Sequence, residues 1–441
     1  MRDSATENTG PSVGLLLLAA LWLIPALFFT PWLFYSVWPD VPAAPQRSFA
    51  FWWIVSSLTI IAIAWVFLRR RTRVAESLAS WLFTRHSGTA GLLISLGMLL
   101  TLLCVFELSF WGLRTMQKRA RLAELKYAIE GGLYADNPVY GYVSTGPGIV
   151  KQRCYLAPQG EVIFDKEYTL GANGYRFTPQ ADGPKENYLA LVGCSHTFGL
   201  GANDDETLSA YLAAMRPQTH VYNFGFPSWG PAQVLLQMRN GDVLDEVKEA
   251  RGAVIYTFII DHMRRILPHM ANRSWTMNFP AFHLDTAGKP QYLGRMSEVY
   301  PWTRWFYNLL AHERFVQWSG LNIPAHYSPT DYALCAALIE AARDEYCARF
   351  PADEYYVLIE PFSLRDPDVG MLMEELGRRG IPVLCPWGLF GAEPTKYLYR
   401  RDLHPQPFAQ YRIAEWIWEQ FPDGPGEPPL PGALAGAGRG L

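Results

Sequence analysis

Three long apolar runs near the amino terminus constrain this chain more than any other feature. Residues 13–37 and 48–68 carry no charge at all, and the run over 87–113 contains a single acidic residue, Glu107, before Arg114. Each reaches the roughly 20 residues that a membrane-spanning helix needs. The first is too long for a cleaved signal peptide, its flank sets Arg2 against Asp3 and Glu7, and two further spans follow it. Residues 1–113 therefore read as a membrane anchor of three helices. The loop between the second and third spans holds Arg69, Arg70, Arg71, Arg73 and Arg85, whereas the loop before it has only Arg47. The positive-inside rule then puts the Arg loop in the cytoplasm and the rest of the chain outside, at the inner (cytoplasmic) membrane with its soluble part in the periplasm.

A formal net charge of −3 across 441 residues leaves no basic footprint for nucleic acid. The six cysteines form no CxxC pair and no zinc spacing. Cys335 and Cys347 fall on one predicted helix, where 12 steps separate them by roughly 18 Å, beyond disulfide reach. Nothing in the composition calls for a cofactor or a resident metal, and His196, His262 and His404 have no ligand spacing.

Residues 114 to about 135 are charged and helix-favouring, which predicts a stalk leaving the membrane. From 137 to 179 the text turns to Gly, Pro, Tyr and Val, as in VYGYVSTGPG, and reads as short strands and turns. Together 114–185 form a stalk and a small β-rich lead-in. Over 186–421, strand-like runs at 188–193, 220–225, 253–260, 355–360 and 381–385 alternate with helical patterns at 206–215, 231–238, 330–349, 369–379 and 408–421. Such alternation predicts an α/β domain with a parallel sheet between two helical layers. An aromatic, Pro-rich insertion occupies 262–327, long enough to shape substrate access. The Pro- and Gly-rich tail, 422–441, is predicted to be disordered.

Ligands of open α/β sheets gather beyond the carboxyl ends of the strands. This chain places its unusual polar residues at those positions. Ser195 follows the first strand in GCSHTFG, Asn223 and Gly225 close the second in NFGFPSWG, Asp261 and His262 close the third, and Asp402 and His404 stand in DLHP before the last helix. Ester chemistry needs a hydroxyl, a base within reach, a group orienting the base, and donors for the oxyanion. Ser195, His404 and Asp402 supply the first three. The N–H groups of Ser195 and Gly225 are candidates for the fourth, with Asn223 and His262 as further donors. Cys194 is a neighbouring thiol, but its side chain must point away from wherever Ser195 points.

The blocks GCSHTFG, NFGFPSWG and DLHP resemble those of the SGNH or GDSL hydrolase family, and EYTLGANGYRFTP before LVGCSHTFGLGANDDETL looks like a membrane-anchored bacterial branch of it. The resemblance covers 186–421 and implies a flavodoxin-like three-layer α/β/α fold with hydrolysis or transfer of acyl groups by Ser195, His404 and Asp402. It departs from the family in two places: Cys194 stands where Asp is usual, and Phe258-Ile259-Ile260-Asp261 stands where Gly-x-Asn-Asp would supply an oxyanion donor. The expected partners are the lipid bilayer and a small ester or an acylated glycan, with Trp275, Trp302 and Trp305 read either as aromatic faces for sugars or as packing of a small subdomain. The missing Asn motivates an alternative: a catalytically weak or inactive binding or assembly component of an envelope polysaccharide system.

Overall fold

The computed structural model describes residues 124–430 apart from short interruptions, together with part of 80–99. The predicted spans at 13–37 and 48–68 lie outside the described residues, and the one at 87–113 does so except for a helical stretch around 91–97. Among the described residues no helix is long and apolar enough to cross a membrane. The chain divides into two compact units, one of residues 1–121 and 305–322, the other of 122–304 and 323–441. The second unit contains all the candidate site residues.

Its centre is a five-stranded parallel sheet built from β6 (Asn187–Val192), β7 (Thr219–Asn223), β8 (Gly252–Phe258), β11 (Glu354–Ile359) and β12 (Val383–Leu384), in the order β12-β11-β8-β6-β7. These are the five expected strands. The last is shorter than expected, two residues, because it pairs only with Val357 and Leu358 of β11. The inner strands β6, β8 and β11 are apolar over nearly their whole length because both faces are covered. On one face Ala190, Val192, Val254, Tyr256, Val357 and Ile359 pack against α3 (Pro231–Asn240), α4 (Pro329–Arg349) and α5 (Pro367–Arg378). On the other, Leu189, Leu191, Ile255 and Leu358 meet α2 (Leu208–Met215) and α6 (Pro407–Gln420). The three layers follow from this alternation of side chains about each strand. Local signals set the helix starts: Ser328 caps α4 by accepting from the Asp331 N–H, and Pro329 occupies the first turn.

Sheet order reverses between β6 and β8, so the crevice beyond their carboxyl ends is the switch point of the fold. The chain turns there through Gly193, whose φ of 145° is open to glycine and whose Cβ would meet Thr197 Oγ1 at 2.5 Å. That turn delivers Ser195 to the start of the one-turn helix α1 (Ser195–Phe198).

Ahead of this sheet, β1 (Glu124–Glu130), β4 (Gly148–Ala157) and β5 (Glu161–Leu170) form an antiparallel sheet in the order β1-β4-β5, and β2 (Ala135–Asn137) pairs with β3 (Gly141–Val143). Residues 124–130 are thus a strand where the sequence predicts a helical stalk. ELKYAIE alternates with period two as well as favouring a helix, and pairing with β4 decides between them. Val150, Cys154, Phe164 and Tyr168 of the small sheet share one cluster with Phe198 and Leu200 from the segment that carries Ser195. Arg176 stands over the edge-to-face pair of Tyr168 and Phe198, 4.5 and 4.9 Å from their ring centroids, and donates to Ala202 O. A second difference concerns the start of the tail, where Arg216 bonds to Pro422 O and Arg251 pairs with Glu427 at 2.8 Å. The hairpin of β9 (Pro280–Leu284) and β10 (Pro290–Arg295) forms part of the 262–327 insertion.

Phe198 is the pin between the small sheet and α1. Truncating it, Phe198→Ala, is expected to cost about 3–5 kcal/mol of stability in denaturant unfolding.

Candidate active site

The loop between β12 and α6 is shaped by strain. Leu398 and Pro405 bridge, Tyr399 N–H donates to His404 O at 2.9 Å, and Leu403 N–H donates to Tyr399 O at 2.9 Å. Within it Arg401 and Leu403 have φ of 67° and 69°, a left-handed geometry that costs a non-glycine residue roughly 1–2 kcal/mol. This conformation directs the Asp402 and His404 side chains to the same side.

There they meet Ser195. His404 Nε2 lies 2.9 Å from Ser195 Oγ, and His404 Nδ1–H donates to Asp402 Oδ1 at 2.7 Å. The His404 N–H also donates to Asp402 Oδ1, at 3.2 Å, and Tyr127 O–H from β1 donates to Oδ2 at 2.5 Å. The Asp402 side chain is wholly covered. Burial alone would raise its pKa, but the bonds from His404 and Tyr127 outweigh it and hold the carboxyl below its usual value. His404 is also pushed below the ordinary imidazole value, because burial penalises the imidazolium more than Asp402 stabilises it. A neutral imidazole aimed at a serine hydroxyl is the state a general base needs.

These groups open on a cleft of about 600 Å³. Tyr127, Ile129, Leu200 and Ile259 make much of its surface apolar, while Asp261, Arg264 and Arg265 supply charge and Trp275 an aromatic face. Arg265 is clamped by Asp261 Oδ2, at 3.0 and 2.9 Å from Nε and Nη2, and by Trp229 O at 2.6 Å from Nη1. Of the other tryptophans considered for sugars, Trp302 is exposed and Trp305 belongs to the other unit.

No family model and no curated protein matches the chain. Among solved structures, the chain is similar to hydrolases. One is a member of the lipolytic protein G-D-S-L family from Veillonella parvula DSM 2008, 9% identical, with 54% of this chain and 99% of that one covered at a TM-score of 0.33. Another is LAE5, an alpha/beta hydrolase enzyme from the metagenome of Lake Arreo, Spain, 15% identical, with 54% and 95% covered at a TM-score of 0.30. At such similarity the roles of individual residues rest on side-chain geometry.

That geometry places the other expected donors elsewhere. Asn223 is buried and its Nδ2 donates to Thr197 O and Ser209 Oγ, at 3.0 and 3.1 Å, so its amide ties loops together and does not line the cleft. Gly225 N–H donates to Asn223 Oδ1 at 3.2 Å. Glycine is required there for close approach, since a Cβ would meet Thr197 Cβ at 2.6 Å and Phe198 N at 2.7 Å. His262 is fully buried, with Nδ1 2.7 Å from Tyr256 O–H, and it does not line the cleft either. Cys194 is likewise buried, its thiol pushed up by burial, and is absent from the cleft. Of the expected oxyanion donors only Ser195 N–H remains, and among the described residues nothing accepts from it.

Three contributors escape sequence reasoning. Ser228 lines the cleft at the third position of a turn closed by Trp229 N–H on Phe226 O, with Pro227 before it and φ of 75°, which is type II geometry. Its N–H has no acceptor among the described residues. The Pro-Ser pair signals a turn but not this location. Glu360, buried at the end of β11, accepts from His196 Nδ1 at 3.2 Å, and the His196 ring stands 5.1 Å from that of His404. Tyr127 is the third.

The depressed His404 value fixes a direction for pH dependence. Below about 6.5 the unfolded chain takes up a proton that folded His404 still refuses, so this contribution is complete above 6.5 and is lost as pH falls through the lower folded value. Wild-type protein is therefore expected to lose more unfolding free energy between pH 7 and 5 than His404→Gln, measured by denaturant titration.

Proposed function

We propose that the chain is a serine ester hydrolase of the SGNH/GDSL kind, and one observation carries this reading: Ser195, His404 and Asp402 form a continuous hydrogen-bond chain opening on a cleft at the switch point of a parallel sheet. In this reading Ser195 Oγ attacks the ester carbonyl while His404 Nε2 takes its proton, and Asp402 stabilises the imidazolium. The N–H groups of Ser195 and Ser228 face the oxyanion in place of the family's Asn, with the Arg265 cation close by. His404 then returns the proton to the departing alcohol, and water, or an acceptor hydroxyl, attacks the acyl-enzyme by the same route in reverse.

The substrate reading is an acyl ester, acetyl esters included, on envelope or extracellular glycans. It is supported by a cleft that sets apolar surface beside charged groups and a tryptophan face. Anchoring by the three amino-terminal runs, with the site on the periplasmic side, would bring it to such substrates.

A fluorophosphonate probe applied to the full-length protein in membranes tests the assignment. Wild type is expected to label; Ser195→Ala is expected to lose both labelling and turnover of p-nitrophenyl acetate, by at least about 10³-fold, and Asp402→Asn to slow turnover by about 10²–10⁴-fold. Labelling that survives in Ser195→Ala would discard Ser195 as the nucleophile. Absence of labelling and turnover in wild type would instead favour the non-catalytic binding component that the missing Asn motivates.

A further inference from the structure

Asp402 has two carboxylate oxygens, and they are served from different parts of the chain. Oδ1 takes both the ring and the backbone donors of His404, residues local to its own loop. Oδ2 takes the phenol of Tyr127 at 2.5 Å, a residue 275 positions earlier in the sequence. Tyr127 sits in the middle of β1 with Cys154 opposite it on β4, and it also lines the cleft. The local loop cannot orient Asp402 by regular structure, since left-handed residues flank it on both sides. A water on Oδ2 would satisfy the charge but leave the carboxylate plane free to turn about its χ2 torsion, which is broad for such groups. A phenol held by a strand fixes it. Burial and the neighbouring Asp402 carboxylate push the Tyr127 phenol far above its ordinary value, so it remains a donor throughout the working pH range.

We propose that Tyr127 is a positioning residue for the reaction, a fourth member of the Ser195–His404–Asp402 chain contributed by the lead-in sheet, which is thereby part of the catalytic centre. The kinetic side of this inference rests on the ester-hydrolase reading, whereas its structural side does not. His404 faces Ser195, Asp402, the His196 ring backed by Glu360, and the Arg265 cation; Asp402 has Tyr127 against it, with Cys154, Tyr168 and Tyr399 nearby. Tyr127→Phe leaves all of them in place and removes one hydroxyl.

The test compares full-length wild type and Tyr127→Phe by 15N-histidine NMR titration, with the His404 signal assigned through His404→Gln. Without the phenol the charge on Asp402 is less shared and holds the imidazolium more firmly, so the His404 pKa is expected to rise by about 0.5 unit or more. The acid limb of the kcat/KM profile for p-nitrophenyl acetate should move up with it, while kcat falls about five- to twentyfold and KM stays within about twofold. Should Tyr127→Phe fail to fold, 3-fluorotyrosine at position 127 keeps the ring and strengthens the donor, and the His404 pKa should then move down. A His404 titration unchanged by either replacement overturns the proposal. A shifted titration in a protein whose wild type neither labels nor turns over supports the positioning role while removing the hydrolase reading, so the two failures are distinct.

Discussion

A carboxylate with no exposed surface is the constraint on which the site depends. Asp402 must carry its charge without water, and a buried unpaired charge is among the costliest features a fold can hold. It is tolerable only because His404 approaches from two residues away and Tyr127 from the far end of the domain. Each donor also fixes something else. The bond to His404 selects the tautomer that leaves Nε2 open toward Ser195, and the bond from Tyr127 ties the late loop to the first strand. Strain at Arg401 and Leu403 is sustained by that closure, as strained backbone usually is where the surroundings over-determine it.

The second organising element is the contact of Gly225 with α1. Bare backbone at 225 lets the loop after β7 lie against Thr197 and Phe198, and Asn223 fastens it by bonding to Thr197 O and Ser209 Oγ. The polar groups that end β7 are therefore consumed in holding the turn that carries Ser195. The residue that lines the cleft comes from further along, at Ser228, in a type II turn whose N–H there has no acceptor among the described residues. A glycine and an asparagine that look like reaction groups in the sequence are in the structure the joinery beneath them.

Much of this architecture is legible in the sequence. The five strands, the helices between them and the convergence of Ser195, Asp402 and His404 all follow from alternating apolar runs and from polar residues at strand ends, since buried parallel strands leave few other readings. What is not legible depends on partners distant in sequence. ELKYAIE supports a helix and a strand about equally until β4 stands beside it, and so Tyr127 is hidden inside a supposed stalk. Asn223 and His262 occupy the right ends of the right strands, and only side-chain direction separates a latch or a core histidine from an oxyanion donor. Pro and Gly in the tail suggest disorder, yet Arg216 and Arg251 hold its first residues to the domain.

The span between Tyr127 and Asp402 also sets an order of events during synthesis. Ser195 and its turn emerge early, but the groups that would make it nucleophilic belong to a loop made after every strand of the central sheet. A growing chain therefore carries the serine unaccompanied by its base until ribosomal synthesis has passed residue 404. The hydrogen-bond chain from Ser195 through His404 to Asp402 thus comes into existence only after nearly all of the domain has been made.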